Sequence, residues 1–150
     1  MKQIFIFVSI ASLVIACKPK PQPIDYGHEE CHFCQMTIVD KQHAAEIVTN
    51  KSKAYKYDAI ECMIQDNQED AALFLVCDYA TPEKLVDATK ATFLVSENIP
   101  SPMGADLSAF ESNEIAKKTH TEKGGKLFTW EEIKKHINEE ALYNNEQEGH

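Results

Sequence analysis

Two fifteen-residue stretches, AYKYDAIECMIQDNQ (54–68) and DLSAFESNEIAKKTH (106–120), occupy the same slot in a repeated order of elements. Each begins with a short β-prone run and passes through a capping signal into residues with helical spacing. Before the first lie the β-prone runs MTIVD (36–40) and AAEIVTN (44–50), and the polar turn NKSK precedes the strand AYKY. Asp58 followed by Glu61 reads as a capping box that starts a helix over DAIECMIQDNQ. ALFLVCD (72–78) is a continuous apolar run, the pattern of a strand covered on both faces. In TPEKLVDA, Thr81 as cap and Pro82 at the first helical position predict a short helical turn. The second half repeats the order: ATFLVSENI as a strand, a loop, a short extended piece, a helix over ESNEIAKKTHTEK ended by Gly124 and Gly125, then KLFTW as a strand. Thr129 with Glu132 opens a last helix, WEEIKKHINEE. The class is therefore α+β: two ββαβ-like units with antiparallel sheet and helices packed on it.

The ends set the address. Residues 1–16 carry Lys2 and then the apolar run IFIFVSIASLVIA, which ends with small Ala16 just before Cys17. This is the pattern of a lipoprotein signal, cleaved before a cysteine that receives the lipid. Residues 17–29 then read as a lipid-anchored flexible linker, its KPKPQP segment proline-rich and without a core of its own. Residues 30–140 are enough for one modest core, and 141–150 form a polar tail. The expected location is extracytoplasmic and membrane-anchored, at the periplasmic face or as an outer-membrane lipoprotein. The 15 basic residues are all lysine, against 24 acidic ones. A chain lacking the bidentate guanidinium fork is poorly equipped for phosphate, and no nucleic-acid partner is expected.

With Cys17 assigned to lipid, four cysteines remain: Cys31, Cys34, Cys62 and Cys77. The segment CHFCQM (31–36) places Cys31, Cys34 and Met36 within six residues. A structural zinc site wants four ligands, and Cys62 and Cys77 are not a second CxxC pair. Haem attachment fails because Gln35 stands where a histidine is needed. A thioredoxin-type couple sits at a helix N-terminus after a strand, whereas these cysteines precede a strand. Methionine shifts the balance, since a neutral thioether is a good donor to Cu(I) and a poor one to harder ions. Cys34 and Met36, at i and i+2 in an extended segment, point to one face. Met103, between Pro102 and Gly104 in a loop that cannot easily bury it, is a further thioether donor.

Ordinary roles suffice for most other candidates. His28, His43 and His120 read as solvated or turn residues, and His32 is held as a reserve metal ligand. Cys62 and Met63 sit on a predicted helix where packing is the commoner role, and Cys77 reads as a small hydrophobe in a buried strand.

The lipoprotein signal together with CHFCQM, YDAIECM, PMGADLSAF and GGKLFTW, in this order, resembles the NosL family, accessory lipoproteins of nitrous oxide reductase. The resemblance spans about Cys31 to Ile137. It implies a pair of ββαβ units, also similar to part of organomercurial lyase, and an extracytoplasmic Cu(I) carrier supplying the reductase's copper–sulfur cluster. The cysteine and methionine of the family's Cys-Gly-Met core fall on Cys34 and Met36, and the methionine of its Pro-Met-Gly loop falls on Met103. Gln35 stands where glycine is usual, and Cys31 matches a frequent position. No nucleophile is paired with a base, so an enzyme is not expected. The partner is nitrous oxide reductase or another copper-accepting protein, besides the membrane through Cys17. Two alternatives stay open: a thiol–disulfide lipoprotein using Cys31 and Cys34, and a structural lipoprotein in which those two form a plain disulfide.

Overall fold

The computed structural model describes residues 18–66 and 68–148. The expected signal segment 1–16 and Cys17, the residue expected to carry lipid, lie outside them.

Ten elements follow in order: β1 (Ala45–Thr49), β2 (Ala54–Tyr57), α1 (Ile60–Gln65), β3 (Ala71–Asp78), β4 (Thr81–Asp87), β5 (Thr92–Val95), β6 (Leu107–Phe110), α2 (Asn113–Lys123), β7 (Lys126–Phe128) and α3 (Trp130–Glu148). They make two antiparallel sheets, ordered β2-β1-β3-β4 and β6-β5-β7. In each half a hairpin is followed by a helix, and the next strand returns to the free side of the hairpin's first strand. The ββαβ unit expected from the sequence is thus built twice, with the same strand order.

Side-chain alternation along β5 explains how the halves meet. Phe93 enters the main core, which holds residues of both sheets together with α1 and α3. Its neighbour Leu94 faces the opposite way, into a second cluster with Ile99, Phe110 and Ala116 of α2. Trp130, the first residue of α3, bridges the sheets: its ring lies 5.5 Å from Phe74 of β3 and 5.8 Å from Phe93. α2 is capped by Ser112, whose side chain accepts from the Ile115 amide, and it ends at Gly124 with φ 73°. Thr129 donates both its amide and its hydroxyl to Glu132, so half of the expected capping box forms at the start of α3.

Four expectations are corrected. The segment 81–87 is the strand β4 and not a helical turn. The chain reverses tightly after Asp78 and pairs Cys77 with Leu85 and Val76 with Val86. Pro82 is tolerated because β4 lies at a sheet edge, where the missing amide costs no ladder bond. MTIVD is not a regular strand; it keeps one isolated bridge, Glu30 to Thr37. α1 is capped by the backbone of Ala59 with no side-chain hydrogen bond, so Asp58 is not its cap. Finally, the segment before the domain is docked. The Gln22 amide donates to the buried Glu46 carboxylate at 3.0 Å, Lys56 Nζ donates to the Pro23 carbonyl at 2.7 Å, and Ile24 and Tyr26 pack on the core. A buried carboxylate in β1 needs a donor, and the linker supplies it. At the other end α3 runs on to Glu148, so most of the polar tail is helical.

Candidate metal centre

The CxxC segment folds into a tight knuckle. Gly27 N donates to Ile38 O at 2.8 Å, Ile38 N to Glu29 O at 2.9 Å, and Cys31 N to Met36 O at 2.7 Å. Within the loop Gln35 N donates to Cys31 O at 3.0 Å, which turns the chain back after one helical turn. Closing that turn puts Gln35 at φ 64°, the left-handed region that glycine adopts freely. Its side chain is held by donation to the His32 carbonyl at 2.8 Å. The knuckle is tied to edge strand β2 by His32 N donating to Lys56 O at 2.8 Å, and beside it Lys56 pairs with Glu29. Two residues beyond Lys56 the chain reaches Asp58 and then α1, so the knuckle and the helix start are fixed to the same strand.

This arrangement brings four donors together. The Sγ atoms of Cys31, Cys34 and Cys62 and a carboxylate oxygen of Asp58 all lie within 4.8 Å of one another. Cys34 Sγ donates to Asp58 Oδ1 at 3.3 Å. Cys31 and Cys62 are fully buried, Asp58 nearly so, and Cys34 is partly open. All three cysteines, like Cys77, are free thiols. The hydrogen bond from Cys62 lowers the Cys31 thiol to about 6, and amides of Cys34 and Asp58 also donate to its sulfur. Accepting no such help, Cys62 is pushed up by the same bond and by burial. Desolvation raises Cys34 to about 11, although the Met36 amide donates to its sulfur. Of the three thiols, Cys31 is the one whose hydrogen-bond surroundings favour the thiolate.

Asp58 and Cys62 were read from the sequence as a helix cap and a packing residue. Their involvement is signalled locally only by their i, i+4 spacing in DAIEC, which puts both on one side of the helix start. What brings them to Cys31 is the docking of the knuckle on β2 through His32 N to Lys56 O, more than twenty residues along the chain.

The methionines lie further out. Met36 is 53% exposed and Met103 is 42% exposed, unusual values for apolar side chains in a folded domain. Phe33, between the two knuckle cysteines, is also exposed. Met103, Gly104 and Ala105 line a cleft of about 260 Å³ together with Phe33, Glu61, Cys62 and Ile137. The loop carrying Met103 is anchored on α1, because Ser101 Oγ and the Ala105 amide both donate to Glu61 Oε1. Glu61 is therefore a loop anchor rather than half of a capping box. Its other oxygen is buried without a partner, and desolvation holds its carboxyl above the usual range.

The histidines are placed elsewhere. The His32 ring packs 4.5 Å from Tyr55, and its Nε2 lies 3.8 Å from an Asp66 oxygen, so it is turned towards β2 and outside the four-donor group. His43 is buried and bonded to Ser108 at 3.1 Å, joining β6 to the lead-in of β1. His28 lies exposed beside Asp25, and His120 bonds the Gly125 carbonyl at 3.1 Å. Cys77 is 3.3 Å from Tyr26 Oη, far along the chain from the knuckle, and anchors the docked linker.

The sequence profile of the NosL family matches residues 23–138. The copper-binding lipoprotein NosL of Stutzerimonas stutzeri is 27% identical over 128 residues, covering 77% of this chain and 67% of that protein. The crystal structure of the copper chaperone NosL from Shewanella denitrificans has the same fold, with TM-score 0.66 at 22% identity over 77% of this chain and 96% of that one.

Proposed function

Because the chain belongs to the NosL family, we propose that it is a lipid-anchored, extracytoplasmic carrier that binds Cu(I) and passes it to a copper-accepting protein, nitrous oxide reductase being the recipient. Cys17 carries the lipid, and Cys34, Met36 and Met103 hold the ion, with Cys31 as a second thiolate.

One observation carries this reading: the sulfur donors are graded in depth. Cys31 is buried, Cys34 half-buried, and Met36 and Met103 open to solvent. Exposed thioethers meet a soft monovalent ion first and leave it easily, being neutral and weakly donating. The thiolates behind them supply affinity and charge. Copper held in this way leaves by the reverse route: a partner's donors replace the outer thioethers first, then Cys34, and Cys31 departs last. The lowered Cys31 thiol keeps one thiolate ready near neutral pH without a base to generate it. The work is transfer of an ion rather than catalysis. Phe33, exposed beside Met103, gives the partner an apolar contact at the exit.

Competition for Cu(I) against a chromogenic chelator tests the ligand set. Cys34→Ser is expected to lower affinity by at least about a hundredfold, and Met36→Ala or Met103→Ala by about tenfold, a loss of ~1.4 kcal/mol. The methionine variants should fold as well as the parent, since both side chains are exposed. Unchanged Cu(I) affinity in Cys34→Ser would refute the proposed site.

A further inference from the structure

α3 continues past the core that it helps to build. Ile137 is the last buried residue among those described, yet the helix runs on to Glu148, an arm of about 16 Å. A helix of that length is marginal alone and is stabilised by whatever packs on it. Ile137, Glu140, Ala141 and Asn144 recur at helical spacing, so they form one stripe of the arm. That stripe lines the cleft of about 260 Å³ together with Phe33, Met103 and Ala105.

The lining of the cleft narrows what it holds. Its volume falls below the roughly 300–1,000 Å³ of small-molecule pockets and suits one long side chain of a larger partner. Phe33 and Met103 supply exposed apolar surface. The charged residues are Glu61 and Glu140, and no lysine lines the cleft among the described residues. One oxygen of the buried Glu61 has no hydrogen-bond partner, so a donor or a positive charge is favoured there over an anion. Glu140 lies 3.3 Å from His136 one turn back, and its carboxylate is half open to solvent. The arm extends the same bias, with Glu139, Glu140, Glu146 and Glu148 and no lysine after Lys135.

We infer that this cleft docks a segment of the copper-accepting partner in which a methionine is flanked by lysine or arginine, the thioether entering beside Phe33 and Met103 and the cation lying on Glu140.

Methionine fits on two grounds. It is long, unbranched and adaptable, so it fills a narrow cleft of irregular outline. Its sulfur is also the donor class used by the outer part of the copper site. Once docked it stands next to Met103, and exchange needs no change of charge. The bond from Cu(I) to the Met103 sulfur breaks as one to the partner's sulfur forms, and both thioethers stay neutral. The acidic rim selects by electrostatics: it attracts a basic segment and repels an anionic bilayer or the acidic end of a second copy. That the partner accepts copper rests on the copper reading; that the cleft takes a basic, methionine-bearing segment does not.

The test uses the full chain in detergent, copper-free, reduced and isotope-labelled for amide NMR, titrated with the capped peptide Ala-Lys-Met-Lys-Ala. Saturable shifts are expected at the amides of Phe33, Gly104, Ala105 and Ala141. Glu140→Lys should weaken the peptide by about threefold or more, and Ala141→Arg, which fills the cleft, should abolish binding. Circular dichroism checks that both variants fold. The peptide Ala-Glu-Met-Glu-Ala should give no saturable shift. Absent or scattered shifts, equal binding of the two peptides, or unchanged binding to folded Glu140→Lys and Ala141→Arg overturns the docking site. So does a response of the same amides to phosphatidylglycerol added to the micelles or to the chain's own concentration, which would make the occupant a bilayer or a second copy. With Cu(I) loaded, the methionine peptide should draw the ion from the chain and its norleucine counterpart should not; equal withdrawal by both overturns the role of the thioether. If the peptide docks while Met36→Ala and Met103→Ala leave Cu(I) binding intact, the copper reading fails and the docking site stands.

Discussion

Ser101 donates its hydroxyl to Glu61, forty positions away in the chain, and this bond fixes the loop bearing Met103 onto α1. Both residues are buried, and the other Glu61 oxygen has no partner, so the bond is poorly backed up. Removing it leaves Glu61 Oε1 with only the longer donation from the Ala105 amide at 3.4 Å. Ser101→Ala is expected to cost about 1–3 kcal/mol in chemical denaturation. It should also raise hydrogen exchange at the Gly104 and Ala105 amides, because the loop loses its anchor. An unchanged exchange pattern around Met103 would detach the loop's order from Glu61.

Gln35 sits in the left-handed region without being glycine, and its side-chain donation to His32 O compensates part of the strain. Gln35→Gly relieves the backbone and loses that bond, so the two effects offset and stability should change by less than about 0.5 kcal/mol. Gln35→Val retains the strain, adds β-branching and loses the bond, and should cost roughly 2 kcal/mol. Equal melting temperatures for the two variants would show that the turn relaxes freely.

Glu46 is fully buried in β1, and desolvation raises its carboxyl to about 7 despite the Gln22 amide. A raised acid binds its proton more tightly in the folded chain than in the unfolded one. Its contribution to stability is therefore present below the ordinary value of 4.5 and is lost as pH rises through about 7. The expected loss over that window is of order 3 kcal/mol at most. Glu46→Gln should flatten this part of the stability–pH curve, as read by urea titration at several pH values. A slope that persists in the variant assigns the effect to another group.

Trp130 joins Phe74 of one sheet to Phe93 of the other. Trp130→Ala opens a cavity between the two units and should cost about 3–5 kcal/mol. Because the sheets share one core, unfolding should remain a single transition. Two separated transitions would mean that the ββαβ units are independent.

The repeated architecture could be read from the sequence because each unit carries its own local signals. Apolar runs mark β3 and β5, and the caps and closing glycines mark α2. β4 was misread because Thr81-Pro82 imitates a helix start, and only pairing with β3 reveals an edge strand. The candidate centre divides in the same manner. Cys31, Cys34 and Met36 announce themselves by spacing within one segment. Asp58 and Cys62 do not, since a capping aspartate and a core cysteine look identical to donors until the knuckle is docked on β2. Glu61 was hidden by a capping-box pattern that its bond to Ser101 overrides.

The docked linker has a mechanical consequence. With lipid on Cys17, the tether that can pay out before the chain is clamped at Gln22 is at most about 18 Å long. The proline-rich segment then acts as a short mooring and not as a long leash. In the proposed lipid-anchored state a recipient comes to the bilayer surface to meet Met36 and Met103, and the Gln22–Glu46 clasp restricts the orientation of the domain there. Since Glu46 takes up a proton near neutral pH, acidification removes the charge from one half of that clasp. In that proposed state the freedom with which the domain swings about its anchor becomes a function of the surrounding pH.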